Sequence, residues 1–403
     1  MTVGAGSGPE MSADAGRATD WPALIGVIAA VSVFAIAQGL TYPLLSFILA
    51  ENGASPTTVG LSAAMTPLGL IASSPCITWL ARRIGASSLV LGSVVLATAV
   101  LTLLGAIQNV WVWFPLRFLL GAAINPLFVL SEAWMIVMAA PRHRGRAMGL
   151  YAATLSAGYA AGPFTLLLIG TKGFLPFLVG LAAFATCGMT LSAIRRSLPD
   201  LGGREGSASI RRFVVLAPML LFAVLLAAAF EQAYLSLMPV YGFGYGLKAT
   251  QISGFIAVLI VGNVALQVPL GLAAERWRPR AALVVCSALT AAGCLIQPLL
   301  MGTPAMWVLA FFLGALSYGA YTVALVELGE RFSGSMLVAG NASFALMWGL
   351  GSLVGPMMIG AAMDLLGIQS LPLAFAGLLF AFAALSGLAL PPPRREGVRR
   401  NGR

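Results

Sequence analysis

Charge is what this chain has least of. Of its 403 residues only 9% are charged, while 59% are hydrophobic and the mean hydropathy is +0.94. Soluble domains carry roughly 25% charged residues, so a water-facing surface of ordinary composition is excluded. There is one histidine, His143, and it falls in a short loop between apolar runs. The four cysteines, Cys76, Cys187, Cys286 and Cys294, stand singly inside apolar runs, without metal-ligand spacing, and read as packing residues. The chain has no G-x-x-x-x-G-K-[ST] stretch and no nucleophile and base pairing, so neither ATP-driven transport nor enzyme activity is expected. No metal and no other cofactor is expected either.

What fills the chain instead is a series of apolar runs, each near the 20 residues or so that a helix needs to cross a bilayer. Their breaks predict twelve transmembrane helices, at 22–48, 57–80, 87–107, 111–139, 147–170, 173–194, 213–240, 249–273, 281–302, 305–328, 336–362 and 370–390. An even number puts both termini on one side. The polar segment 197–212 divides the spans into six and six. The predicted organisation is a disordered tail at 1–20, a bundle at 21–196, a linker at 197–212, a second bundle at 213–390 and a basic tail at 391–403. Residues 1–20 lack the apolar core of a cleavable signal peptide.

Loop charge sets the orientation. With the N-terminus inside, 20 of the 23 Lys and Arg residues fall in cytoplasmic segments; Lys172 and Lys248 face out, and Arg117 stays within the fourth span. The net charge of +10 and pI near 10 are thus loop charge facing anionic lipid, and nucleic acid is not an expected partner. The expected setting is a bacterial inner membrane with both termini cytoplasmic. The expected partners are the lipid bilayer, a small-molecule substrate and protons, with the chain working as a monomer.

The stretch GYAAGP, Gly158, Gly162 and Pro163 among its residues, returns 193 residues later as GSLVGP, with Gly351, Gly355 and Pro356. Leu80 to Arg83 align with Ala273 to Arg276 at the same offset. Duplicated six-helix halves organise many secondary transporters. The glycines are read as surfaces for close helix approach and the prolines as bends.

At these residues the chain resembles the major facilitator superfamily. The loop after the second span in that family reads roughly G-x-L-A-D-R-x-G-R-R; here it is TWLARRIGAS, with Arg82 in the acidic position beside Arg83. The second half, GLAAERWRPR, keeps the acid as Glu275 and its neighbour Arg276. Gly158, Gly162 and Pro163 match the family's antiporter motif G-x-x-x-G-P. Arg117 and Gly121 match its R-x-x-Q-G, with Leu120 in place of glutamine. The stretches SEAWM, RGRAMGLY, EQAYLSLMPVYG and LQVPLG are most similar to the YcaD-like branch. The resemblance implies an all-α membrane fold of two pseudo-symmetric bundles, moving a small molecule by alternating access.

Within the spans, polar residues are few enough to name. A carboxylate in hydrocarbon costs about 2.5 to 3.5 kcal/mol, so it needs a partner, a water-filled space or a proton. Glu132, Glu231 and Glu327 qualify, in spans that line the central cavity of the resembling family. Glu231 reads either as a proton-coupling or substrate residue or as a structural hydrogen-bond acceptor. Glu132 and Glu327 read as proton carriers, as passive structure, or as a cytoplasmic gate pairing with Arg82, Arg83 and Arg276, near Glu275. Arg117 is either an anion or proton-relay partner or a snorkelling interface residue. Further cavity candidates are Gln38, Thr41, Tyr42, Asn125, Gln232, Tyr234, Tyr318, Tyr321 and Thr322. The leading expectation is proton-coupled efflux of a hydrophobic or amphipathic compound. Import of a metabolite or organic anion, and a non-transporting sensor or assembly factor on the same fold, are the alternatives.

Overall fold

A computed structural model describes residues 21–139, 144–199, 210–276 and 279–388. The helices in order are α1 (Trp21–Glu51), α2 (Pro56–Ile84), α3 (Ala86–Ala106), α4 (Val110–Met138), α5 (Arg144–Ile169), α6 (Leu175–Ile194), α7 (Ile210–Leu216), α8 (Pro218–Gly244), α9 (Ala249–Arg276), α10 (Pro279–Leu300), α11 (Ala305–Arg331), α12 (Gly334–Leu366) and α13 (Ser370–Leu388). Eleven helices are long and apolar enough to cross a membrane, and the segment Ala153–Ile169 of α5 is a shorter apolar stretch. No strand occurs among the described residues.

Sequence explains the helix ends. Ser55 caps α2, its Oγ accepting from the Thr58 backbone N–H at 3.2 Å, and Pro56 occupies the first turn, where no donor is needed. The same helix stops at Gly85, whose φ of +83° suits glycine. Asn109 Oδ1 accepts from Trp111 N and Val112 N and so starts α4. One boundary departs from the sequence pattern. The predicted span at 213–240 is split, with the short α7 ending at Leu216 and α8 starting at Pro218. Pro218 has no N–H to give and pushes Ala217 out of the helical region, to φ −138° and ψ 49°.

The twelve long helices form two bundles. In the first, α1 packs on α5 and α6, and α2 on α4; in the second, α8 packs on α12, and α9 on α11. Glycine makes the tightest crossings. A methyl on Gly69 would overlap the Phe118 carbonyl, and one on Gly121 the Thr66 carbonyl. Their counterparts 193 residues on, Gly262 and Gly314, meet the Phe311 and Leu259 carbonyls. Gly158 and Gly351 likewise meet the carbonyls of Ser32 and Leu225, so GYAAGP and GSLVGP seat α5 on α1 and α12 on α8. Both motifs therefore close a crossing inside a bundle, and both helices run unbroken through Pro163 and Pro356.

Between the bundles, α2 runs along α12 and α5 along α9. The face opposite Trp21 and Leu388 is shut. There Phe47 of α1 meets Phe243 of α8 edge to face at 6.0 Å, and Gly60 and Gly360 let α2 and α12 touch backbone to backbone at Pro356 and Pro56. Asp364 near the end of α12 accepts the Thr57 backbone N–H at 2.8 Å, so a carboxylate of one bundle caps a helix start of the other. Among the described residues α4 and α11 make no extended contact. Among the described residues the bundles thus meet closely on the face opposite the termini. Asp364→Ala removes the cross-bundle cap, worth about 1 kcal/mol at an exposed position. A shift of roughly fivefold toward the state open on that face is expected, read as faster thiol labelling of a cysteine placed at Phe243.

Candidate functional site

A cleft lies between the bundles, and its lining follows from helix phase. Tyr42 on α1, Tyr159 on α5, Glu231 on α8, and Tyr318 and Tyr321 on α11 are all surrounded by protein, yet each keeps partial solvent access. That combination marks the wall of a deep space. Glu231 lies within electrostatic reach of Tyr42, Tyr159, Tyr318 and Tyr321, so side chains from both bundles converge on one carboxylate. It has no hydrogen-bond or ion-pair partner among the described residues.

Glu132 occupies a second level, closer to the terminal face. Its side chain is exposed although largely enclosed by protein, and it reaches both Tyr151 of α5 and Tyr321 of the opposite bundle. Tyr321 is therefore within reach of both carboxylates. Glu132 has no ion pair among the described residues, and Arg83, one of its expected gate partners, instead stacks over Trp79 at 4.6 Å. Glu327 bonds Arg331 on its own helix at 2.8 Å, the i and i+4 pairing that helix geometry favours. Its expected pairing with Arg276 falls, like Glu275, on side chains outside those described.

Arg117 does not snorkel. It is 1% exposed, and its Nη1 donates to Ser62 Oγ at 3.2 Å, while Nε and Nη2 have no partner within the protein. Tyr42 lies within electrostatic reach of both Arg117 and Glu231. Replacing a buried, half-satisfied charge by an apolar side chain is often neutral or stabilising. Arg117→Met is accordingly expected to melt no lower than the native chain while transport is lost, checked by thermal unfolding beside a flux assay. Loss of folding would assign Arg117 to structure instead.

Several expected cavity residues are buried or hydrogen-bonded within their own bundle. Tyr234 is buried inside the second bundle, where its hydroxyl donates to Gln297 Oε1 at 2.6 Å. It follows Glu231 by three residues, yet the half-turn facing α10 claims it. Asn125 binds Leu70 O at 2.7 Å and the Ser73 and Ser74 hydroxyls, stitching α4 to α2. Thr41 is buried and bonds the backbone of Ala37. Thr322 bonds Tyr318 O at 3.3 Å. Gln232 is buried beside Ser236, and Gln38 is buried with Nε2 unpartnered.

Sequence reasoning missed two partly exposed residues of the cleft, Tyr159 and Trp348, and the buried Tyr151 beside Glu132. Tyr159 lies between the two glycines of GYAAGP and was available as the one polar side chain of that stretch. Tyr151 hydrogen-bonds Ser131 at 3.0 Å. Trp348 of α12 packs against Tyr318 and Tyr321, with ring centroids 5.6 and 4.9 Å away. Nothing in its local sequence distinguishes Trp348 from a lipid-facing tryptophan. A separate small space inside the second bundle, lined by Phe230, Ser287, Thr290 and Ser317 among others, lies apart from the carboxylates.

Comparison with known proteins fits this geometry. A family model described as Major Facilitator Superfamily matches residues 27–266 and 220–403. The chain is similar to the uncharacterized MFS-type transporter YfkF of Bacillus subtilis, 28% identical over 337 residues that cover 81% of this chain and 85% of that one. It is 24% identical to the uncharacterized MFS-type transporter YcaD of Escherichia coli over 335 residues, 82% and 86% of the two chains. In fold it is similar to the nucleoside transporter NupG, with a TM-score of 0.74, 12% identity and coverage of 91% and 98%. A bacterial homologue of the human lysosomal transporter Spinster, solved in an inward-facing and unoccupied conformation, gives a TM-score of 0.70 at 15% identity, covering 95% and 97%.

Proposed function

Because the chain belongs to the major facilitator superfamily, we propose that it is a proton-coupled secondary transporter that exports a hydrophobic or amphipathic compound by alternating access. Family and fold neighbours support a secondary transporter. Glu231 carries the finer reading. An unpaired carboxyl, partly open to solvent and ringed by tyrosines of both bundles, is placed to hold a proton in one state and release it in another. The arginine distribution supports a cytoplasmic terminal face in a bacterial inner membrane. On that assignment a state open to the cytoplasm is the one in which an exporter loads.

The two closed crossings at Phe47–Phe243 and Thr57–Asp364 form the barrier in this state, and rocking about the α2·α12 and α5·α9 seams would exchange it for one at α4 and α11. A second reading, import of an organic anion, draws on the two unpartnered nitrogens of Arg117. Its burial behind the cleft wall weighs against it. The test starts from a thermal-shift screen for compounds that stabilise the purified protein. Flux of a hit into proteoliposomes should acidify the outside as protons leave in exchange. Alkalinisation outside during inward substrate flux would overturn the exporter reading.

A further inference from the structure

The cleft carries more chemical information than its family. Its accessible charges among the described residues are both negative, Glu132 and Glu231. Two described cations nearby are withdrawn: Arg117 is sealed at 1% exposure, and Arg331 is paired with Glu327 and lies over Phe332 at 5.4 Å. Beside the carboxylates stands a three-ring cluster, of which Tyr321 lies within electrostatic reach of both and Tyr318 of Glu231. Tyr318 and Tyr321 are 5.4 Å apart, Tyr318 and Trp348 5.6 Å, and Tyr321 and Trp348 4.9 Å, all edge to face. All three rings keep partial access to solvent.

A neutral apolar ligand has no use for two unpaired carboxylates, each of which costs free energy within the membrane. An anion would be repelled by both. A cation gains twice, from the carboxylates and from the electron-rich faces of tyrosine and tryptophan, and the second gain is largest where water is excluded. We propose that the transported compound is an organic cation with an apolar body, held against Tyr318, Tyr321 and Trp348 and neutralised by Glu132 and Glu231. This assignment rests on the transporter reading and narrows its substrate to one sign of charge. The apolar body packs on the rings while its charge lies between the two carboxylate levels bridged by Tyr321.

Tetraphenylphosphonium and tetraphenylborate share size and shape and differ in the sign of charge, so they isolate this point. Binding of each to the purified full-length chain is measured by quenching of tryptophan fluorescence and by calorimetry. The phosphonium is expected to bind at least about tenfold more tightly than the borate. Glu132→Gln combined with Glu231→Gln should remove about tenfold or more of the phosphonium affinity, and Trp348→Ala several-fold, with thermal unfolding run in parallel to show that the variants fold. Equal or tighter borate binding, no phosphonium binding, or phosphonium affinity unchanged in the folded double variant overturns the proposal. The wild-type comparison does not depend on any variant. Failure here together with proton-coupled flux of another compound would leave the transporter standing and remove only its cationic substrate. Absence of coupled flux for every bound compound would remove the transporter reading itself.

Discussion

Gly314→Val is expected to leave little folded protein in the membrane. Gly314 lies in α11 where it crosses α9, and a Cβ there would overlap the Leu259 carbonyl, a backbone atom that no rotamer change can move. The helices would have to separate, losing the packing that holds membrane bundles together, because lipid offers no hydrophobic drive to restore it. Overpacking of this kind costs about 3 kcal/mol or more when the neighbour is rigid. Gly121→Val should do the same in the first bundle, where the Thr66 carbonyl is the obstacle. Gly92→Ala provides the control. Gly92 also lies within a helix but has no atom within 4 Å of an added Cβ, and alanine is the better helix former. Yield of monodisperse protein and its unfolding temperature in detergent are the measurements. A Gly314→Val chain as stable as the native one would show that the α9 and α11 crossing bears no load.

Glu231→Gln is expected to reduce export driven by a pH gradient to the level of empty liposomes while the protein stays folded. The amide keeps the shape and polarity of the carboxyl but exchanges no proton. Glutamine already holds the matching position of the repeat, at Gln38, 193 residues earlier in the first bundle. Gradient-driven flux into vesicles, beside a melting curve of the same preparation, separates coupling from folding. Unchanged pH-driven flux would remove Glu231 from the mechanism and direct attention to Glu132, the other accessible carboxyl of the cleft.

The twelve long helices and their division into halves were legible because hydrocarbon imposes one solution on backbone polar groups, and the length and apolarity of each run announce it. The repeat was legible for a related reason. Gly158 and Gly351 occupy matching crossings because the same backbone approach is made twice, and each approach admits glycine alone. The break before Pro218 was hidden, since hydropathy continues across it. Among site residues, the membrane carboxylates stood out through cost. Their partners did not, because pairing depends on helix rotation: Glu327 turned to Arg331, and Arg83 to Trp79.

The sequence by itself determined that the chain lives in a membrane, crosses it as helices, repeats itself and retains very few charges there. These follow from solvation, which acts on each residue according to its type. Only the tertiary structure decided that Tyr159, Tyr321 and Trp348 share a cleft with Glu231 while Tyr234 and Asn125 do not. It also decided that Asp364 caps Thr57 from 307 residues away. Such juxtapositions arise from the angle at which one helix meets another, which close contact between distant backbones sets and no local pattern encodes.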